Sequence, residues 1–400
     1  MTENISILML HNYYEKAGGE DVSMASEMEV LRQKNHRVGL VEWHNHSIKA
    51  MPVCEKAALV FRTAWNQDSK NKVYDELKTL QADLLHVQNF FPLATPSVYT
   101  AARLRAVPVV QHLRNFRLGC LNAYLYRQGK VCEDCVGCNP WRGVLRRCYR
   151  GSLPASVSVW QMLTFHRWRR TWHKDVDAFV IPSRFAAKKL IDIGIPADKV
   201  HVKPNFVADP LPDQRVPPLP DRPHFVFAGR LSDEKGVLPL LRAWEWVKQP
   251  DWQLDILGDG PERSRLEGFC QEKGLQNVRF RGQLSAAQLL SVLQQSSLLL
   301  VPSLWYETFG RVVIEAFACG RGAMVSDLGA LTELIDEGVN GCTVPAGDVQ
   351  GWADRIRWCG ENPAELASWG QAGRRTYQQY FTPDINYQRL MEIYDGVLTG

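Results

Sequence analysis

Apolar residues in the first half of the chain come in short runs, Ile5 to Leu10, Val38 to Trp43, Leu84 to Val87, Val107 to Gln111 and Ala178 to Ile181, separated by stretches of helical spacing. Runs of this length without polar alternation suit strands buried on both faces, so the pattern predicts strands alternating with helices in a parallel, doubly wound sheet. A segment holding Pro210, Pro212, Pro217, Pro218, Pro220 and Pro223 then interrupts the rhythm, because proline lacks the amide that a helix interior or a central strand needs. A second series follows: Phe225 to Ala228, Leu254 to Leu257, Val278 to Phe280, Leu298 to Val301 and Ala323 to Val325. At the end, Leu390, Ile393, Tyr394 and Val397 recur at helical spacing and predict a closing helix that packs back on the first domain. The expected organisation is a first domain over 1–203, with a Cys-rich insertion at about 120–150 and the C-terminal helix 382–400 joined to it, and a second domain over 204–381.

With 400 residues and 45% hydrophobic content, the chain can bury two cores. No apolar run approaches the roughly 20 residues that span a bilayer. Met1-Thr2-Glu3-Asn4 shows neither a basic leader nor a cleavage site, so the expected location is the cytoplasm, including the inner face of the membrane. A net charge of +4 is too small to indicate nucleic acid by itself. Its distribution is uneven, however: Val136 to Lys174 contains no Asp or Glu but many arginines.

The chemistry concentrates in the second half. Glu307 and Glu315 lie eight positions apart, one on a loop after a strand and the other on the following helix. A carboxylate accepts two hydroxyl hydrogen bonds at once, which suits sugar and ribose diols. Between them, Thr308, Phe309 and Gly310 open the helix, where the first amides have no intrahelical partner and favour an anion. After Phe225 to Ala228 comes Gly229-Arg230, with Lys235 close behind, two cations able to neutralise a diphosphate. Gly258 ends the next strand in a tight turn, and Gly18-Gly19, following Ala17, opens a helix after the first strand. Singly, each has an ordinary structural reading as a turn or a solvated charge; their coincidence in this order argues for a nucleotide-sugar site.

With these residues in view, the chain resembles the retaining glycosyltransferases of family 4, whose α/β fold, GT-B, sets two Rossmann-like domains facing each other across a cleft. The resemblance covers nearly the whole length, through Gly18-Gly19-Glu20, Gly229-Arg230 with Lys235, the carboxylates Glu307 and Glu315, and Ala318-Cys319-Gly320. It implies that Arg230 and Lys235 hold the donor diphosphate, Glu307 the transferred sugar and Glu315 the ribose, with the amides of Gly19, Phe309 and Gly310 on phosphate and sugar. It also implies a nucleoside diphosphate sugar as donor, a glycan or lipid-linked acceptor as in bacterial surface polysaccharide synthesis, and no catalytic metal. Two positions depart from the family. The histidine expected in the first domain aligns with Arg114, two residues after His112, and either residue is a candidate for its role. Gly322 stands where proline is common.

Cys120, Cys132, Cys135 and Cys148 form the preferred quartet for a structural zinc, with Cys138 spare and free thiols as the alternative. Downstream, Trp160, Met162, Leu163, Phe165, Trp168 and Trp172 interleave with Arg167, Arg169, Arg170 and His173. Such a helix suits an anionic membrane surface, or alternatively a core face with solvated cations. A zinc-containing nucleic-acid-binding protein is the alternative from another class, disfavoured because Glu307 and Glu315 would repel phosphate backbones. A nicotinamide-dependent oxidoreductase is disfavoured because the first glycine pair lacks the spacing of a dinucleotide fingerprint.

Overall fold

The computed structural model describes residues 4–14, 18–211, 213 and 215–399, apart from the side chains of Val53 and Ala57. Met1 to Glu3, Ala17 and Pro212 therefore lie outside the described residues. The chain divides into two compact units. The first takes the chain up to Leu125, Cys132–Pro204 and the chain from Asn386 onward; the second takes Tyr126–Val131 and Asn205–Ile385.

In chain order the first part contributes β1 (Ser6–Tyr13), β2 (Arg37–His44), β3 (Leu84–Asn89), β4 (Val109–His112), the small hairpin β5 (Tyr126–Arg127) and β6 (Lys130–Val131), β7 (Ala178–Ile181) and β8 (Val200–Val202). The first unit's sheet runs β2-β1-β3-β4-β7-β8, with every pairing parallel. The helix Pro383–Thr399 buries Leu390, Ile393 and Tyr394 in one cluster with Ile7, Met9, Val110 and Val180 of this sheet. Each such side chain contributes about 1.5–3 kcal/mol on burial, so the C-terminal helix is part of this unit's core.

The second unit contributes β9 (His224–Ala228), β10 (Gln253–Leu257), β11 (Val278–Gly282), β12 (Leu298–Val301), β13 (Gly322–Ser326) and β14 (Gly341–Val344), in the order β11-β10-β9-β12-β13-β14 and again parallel. Alternation sorts its side chains between two cores: Phe225, Phe227, Leu298, Leu300 and Met324 on one face, Val226, Leu299, Val301, Ala323 and Val325 on the other.

Each sheet thus has one edge strand beyond the five runs anticipated from the sequence. Val200–Val202 passes from half-buried to exposed, and so carries no apolar run. In β14, a Cβ on Gly341 would stand 2.0 Å from the Ala323 carbonyl oxygen, so close backbone packing demands glycine there.

Candidate functional site

Strands β9 and β12 are neighbours, although β10 and β11 intervene in sequence and lie on the far side of β9. Strand order reverses between them, and ligands of open α/β sheets bind beyond the carboxyl ends of strands at such a reversal. The loops leaving these two strands meet here. Gly236 has φ +69°, and a Cβ there would stand 1.9 Å from the Pro302 carbonyl oxygen, while the Leu304 amide donates to the Glu234 carbonyl at 2.8 Å. This close approach brings Lys235 Nζ to 2.6 Å from Glu307 Oε1, to which Ser303 Oγ also donates at 2.8 Å. The Lys235 ammonium lies 5.1 Å from the centre of the Trp305 ring. Burial by itself would raise the Glu307 carboxyl; the Lys235 charge and the hydrogen bonds from Lys235 and Ser303 outweigh it and hold the group below the usual carboxylate value. Glu307 is therefore an anion ready to accept hydroxyl hydrogen bonds.

On the other side of β9, the Gly229 amide donates to the Leu257 carbonyl at 2.9 Å and the Leu231 amide to Asp259 at 3.0 Å. A Cβ on Gly258 would stand 1.9 Å from the Gly229 carbonyl oxygen, so backbone contact between the loops requires glycine at 258. Arg230 projects from this junction and is exposed. The hairpin β5–β6 is counted with this unit, and its Tyr126 hydroxyl donates to Asp233 at 2.7 Å, next to the Lys235 turn.

Gly310, at φ +105°, starts the helix Arg311–Ala318; a Cβ there would meet Leu331 Cδ2 at 2.7 Å. Its N-cap residue, Gly310, has no side chain with which to cap the helix, and Phe309 is buried and Thr308 half-buried beside it. Glu315 is paired with Arg311, Nε to Oε1 at 2.9 Å, a partner the sequence reading did not single out. Burial raises its pKa against the opposing pull of Arg311. A ribose diol would share Glu315 with Arg311. The glycine at 322 has a packing cause: a Cβ there would stand 2.9 Å from Trp369 Cβ.

The first unit has a site of its own. A small pocket, partly open to solvent, is lined by Tyr14, Glu20, Gln88, Asn89, Gln111, His112, Arg114 and Arg117 among others. Both candidates for the displaced histidine therefore face one space, His112 at the end of β4 and Arg114 just past it. Neither ring nitrogen of the buried His112 has a hydrogen-bond partner among the described residues. Burial, then the charges of Arg114 and Lys203, push its pKa well below the usual value, so the ring is neutral. Of the glycine pair, the Gly18 amide is engaged by Asp21 Oδ2 at 2.9 Å, and Asp21 Oδ1 lies 2.8 Å from His11 Nε2. Gly19 is exposed and immediately precedes Glu20, which lines the pocket.

Behind the pocket runs a buried polar chain that the sequence reading missed. Arg114 donates to Gln88 Oε1, Gln88 Nε2 donates to Glu27 Oε1 at 2.6 Å, and Lys203 Nζ reaches Glu27 Oε2 at 2.6 Å and Asn386 Oδ1 at 2.8 Å. Burial would raise Glu27, but Lys203, His86 and Arg114 together bring it down to about 2. His86 bonds the Tyr394 hydroxyl at 2.6 Å and stacks on His112, making it part of the core. Ligand atoms of Glu27, His86 and His112 lie within 4.8 Å of one another, yet Lys203 already supplies the positive charge there, which argues against a second cation.

Of the aromatic segment, Met162, Leu163 and Trp172 are buried, whereas Trp168 is 78% exposed on the helix Leu153–Trp168. That helix packs against Val53–Arg62, which carries Phe61 at 71% exposure. No helix among the described residues is long and apolar enough to cross a membrane.

Comparison with known proteins agrees with this geometry. Residues 213–376 match the model of "Glycosyl transferases group 1", and residues 36–205 match a "Glycosyl transferase 4-like domain". Phosphatidyl-myo-inositol mannosyltransferase of Mycobacterium leprae is 28% identical over 241 residues, 58% of this chain and 62% of that protein, so the chain spans less than two thirds of this relative's length. Among solved structures, a glycosyltransferase from Rickettsia africae superposes with a TM-score of 0.73 at 16% identity, covering 99% of both chains. Anabaena HepE in complex with UDP and glucose superposes with a TM-score of 0.68 at 18% identity, covering 98% of this chain and 100% of that one. At these identities the structures show a shared fold.

Proposed function

We propose that this chain, which belongs to the family 4 glycosyltransferases of GT-B type, moves a hexose-type sugar from a nucleoside diphosphate sugar to a hydroxyl of a glycan or lipid-linked acceptor, with retention at the anomeric carbon. The observation that carries this reading is the Lys235–Glu307 pair on the loops of β9 and β12, an ammonium and an ionised carboxylate held together where strand order reverses. Binding, orientation and charge neutralisation are all available there without an added nucleophile.

In this reading the donor diphosphate takes Lys235 and Arg230 as counter-charges and the amides that begin Arg311–Ala318 as donors. Drawing Lys235 toward phosphate loosens its hold on Glu307 Oε1, so the carboxylate becomes available to the sugar's hydroxyls. Glu315 receives the ribose. As the bond from the anomeric carbon to the phosphate oxygen breaks, negative charge grows on the leaving diphosphate, where the two cations and the helix end stabilise it most. The acceptor oxygen bonds to the anomeric carbon on the same face, and its proton passes to the departing phosphate oxygen. His112, Arg114 and Glu20 line the pocket of the first unit that takes the acceptor, and no catalytic metal is required.

HepE was crystallised with UDP and glucose, and the M. leprae relative is a mannosyltransferase, so UDP- and GDP-sugars are the first donors to examine. A nucleoside diphosphate at about a hundred times its Kd stabilises the protein by about 2.7 kcal/mol, read as a rise in melting temperature. NAD or an oligonucleotide raising it instead would overturn the reading. The exposed Trp168 and Phe61, with arginines nearby in sequence, favour a peripheral contact with an anionic membrane at the inner face, where a lipid-linked acceptor resides. Flotation with anionic but not neutral liposomes is the expected result.

A further inference from the structure

The stretch 127–150 has almost no core. Among its residues only Pro140 and Gly143 are buried, and its regular structure amounts to part of the β5–β6 hairpin and the five-residue helix Trp141–Leu145. Hydrophobic burial therefore does not hold this segment, and small or core-poor segments of this kind are ordinarily stapled by disulfides or a metal. None of the ten cysteines is in a disulfide.

Burial separates the five clustered cysteines. Cys120 is buried and Cys132, Cys135 and Cys148 are half-buried, whereas Cys138 is exposed and its thiol points to the Asp134 carbonyl oxygen at 3.4 Å. The thiols of Cys120, Cys138, Cys148 and Cys132 are all near enough to act electrostatically on Cys135, so exposure rather than proximity sets Cys138 apart. Backbone amides of Leu125, Asn122 and Ala123 are directed at the sulfur of the buried Cys120. Its proton now goes to Asn122 Oδ1 at 2.9 Å, an oxygen that keeps the Tyr124 amide at 2.9 Å as a donor once the proton is gone. Two guanidinium groups stand nearby: Arg146, ion-paired with Asp134, acts on Cys132 and Cys148, and Arg167 on Cys138 and Cys135.

We propose that Cys120, Cys132, Cys135 and Cys148 bind one structural zinc ion that staples the insertion to the first unit, with Cys138 outside the ligand set. Four thiols lose their protons to solvent as four sulfur–zinc bonds form, and the resulting centre carries two negative charges, which the neighbouring guanidinium groups offset. Zinc–sulfur bonds of about 2.3 Å bring the sulfurs closer together than they stand here, since among the described residues no three of them lie within 4.8 Å. Binding thus tightens the loop.

Metal analysis of tag-free protein, grown with zinc and thiol-reduced during purification, tests this. The wild type and Cys138→Ser should carry close to one zinc per chain, and Cys135→Ser and Cys148→Ser less than about a fifth of that. Where a serine variant is insoluble, wild-type protein decides: a mercurial thiol reagent should release its zinc stoichiometrically and raise hydrogen exchange across 127–150. Protein without zinc after reconstitution, protein holding iron instead, or loss of metal in Cys138→Ser would overturn the proposal.

Discussion

Replacing Glu27 by Gln removes one half of a buried ion pair whose other half, Lys203 Nζ, lies 2.6 Å away with its side chain only 2% exposed. The Glu27 carboxyl falls from an ordinary 4.5 to about 2, which at about 1.4 kcal/mol per unit is roughly 3 kcal/mol in favour of the ionised form. Lys203 moves the other way in energy: burial, the largest cause, lowers its pKa against the pull of Glu27. The two shifts disagree about the net worth of the pair, but not about truncation, because removing either partner strands the other charge in the interior. Such losses run at about 3–5 kcal/mol. Glu27→Gln and Lys203→Met should each lower stability of the first unit by that amount in urea denaturation, with the double variant recovering at least about 2 kcal/mol relative to the sum. The pH dependence has a definite sign. The Glu27 contribution is fully present above pH 4.5 and is lost as pH falls toward 2, a slope missing in Glu27→Gln. A single variant within about 1 kcal/mol of wild type, or strictly additive effects, would refute the assignment of a coupled pair.

Arg114→Ala should lower transfer by about ten- to a hundred-fold, the equivalent of one charge-assisted hydrogen bond, with nucleotide affinity unchanged; Arg114→Lys should not restore it, because the fork that meets Gln88 is gone. Unchanged acceptor kinetics in both variants would remove Arg114 from the site. Gly236→Ala should cost more than the roughly 1–2 kcal/mol of left-handed backbone, since its Cβ would also meet the Pro302 carbonyl at 1.9 Å; calorimetry and transfer rate should both fall. A variant as stable as wild type would show that the loops do not need this contact.

Strands buried on both faces were legible in the sequence because nothing but apolar residues can occupy them, as in Leu298–Val301. The edge strand Val200–Val202 was not, since its exposure removes the constraint that makes a run recognisable. Carboxylates and cations of the candidate site were legible as residue types at loop positions. Their pairing was not: Lys235 and Glu307 are 72 positions apart and meet only because Gly236 lets one loop pass against the carbonyl of the other. The polar chain behind Arg114 had one readable sign. Glu27 falls on the same helical face as the buried Met24 and Leu31, an acidic residue on an apolar stripe, but its partner Lys203 lies 176 positions away beside the linker. Gly322 shows the reverse case, where the departure from the family's proline goes with a tight contact to the Cβ of Trp369.

Transfer or hydrolysis assayed across UDP-, GDP- and dTDP-sugars, for the wild type beside Lys235→Ala and Glu307→Ala, tests the account most directly. One nucleotide class should be turned over by the wild type, and each variant should lose at least about a hundred-fold in rate while keeping the wild-type circular dichroism. Full activity in either folded variant would contradict it.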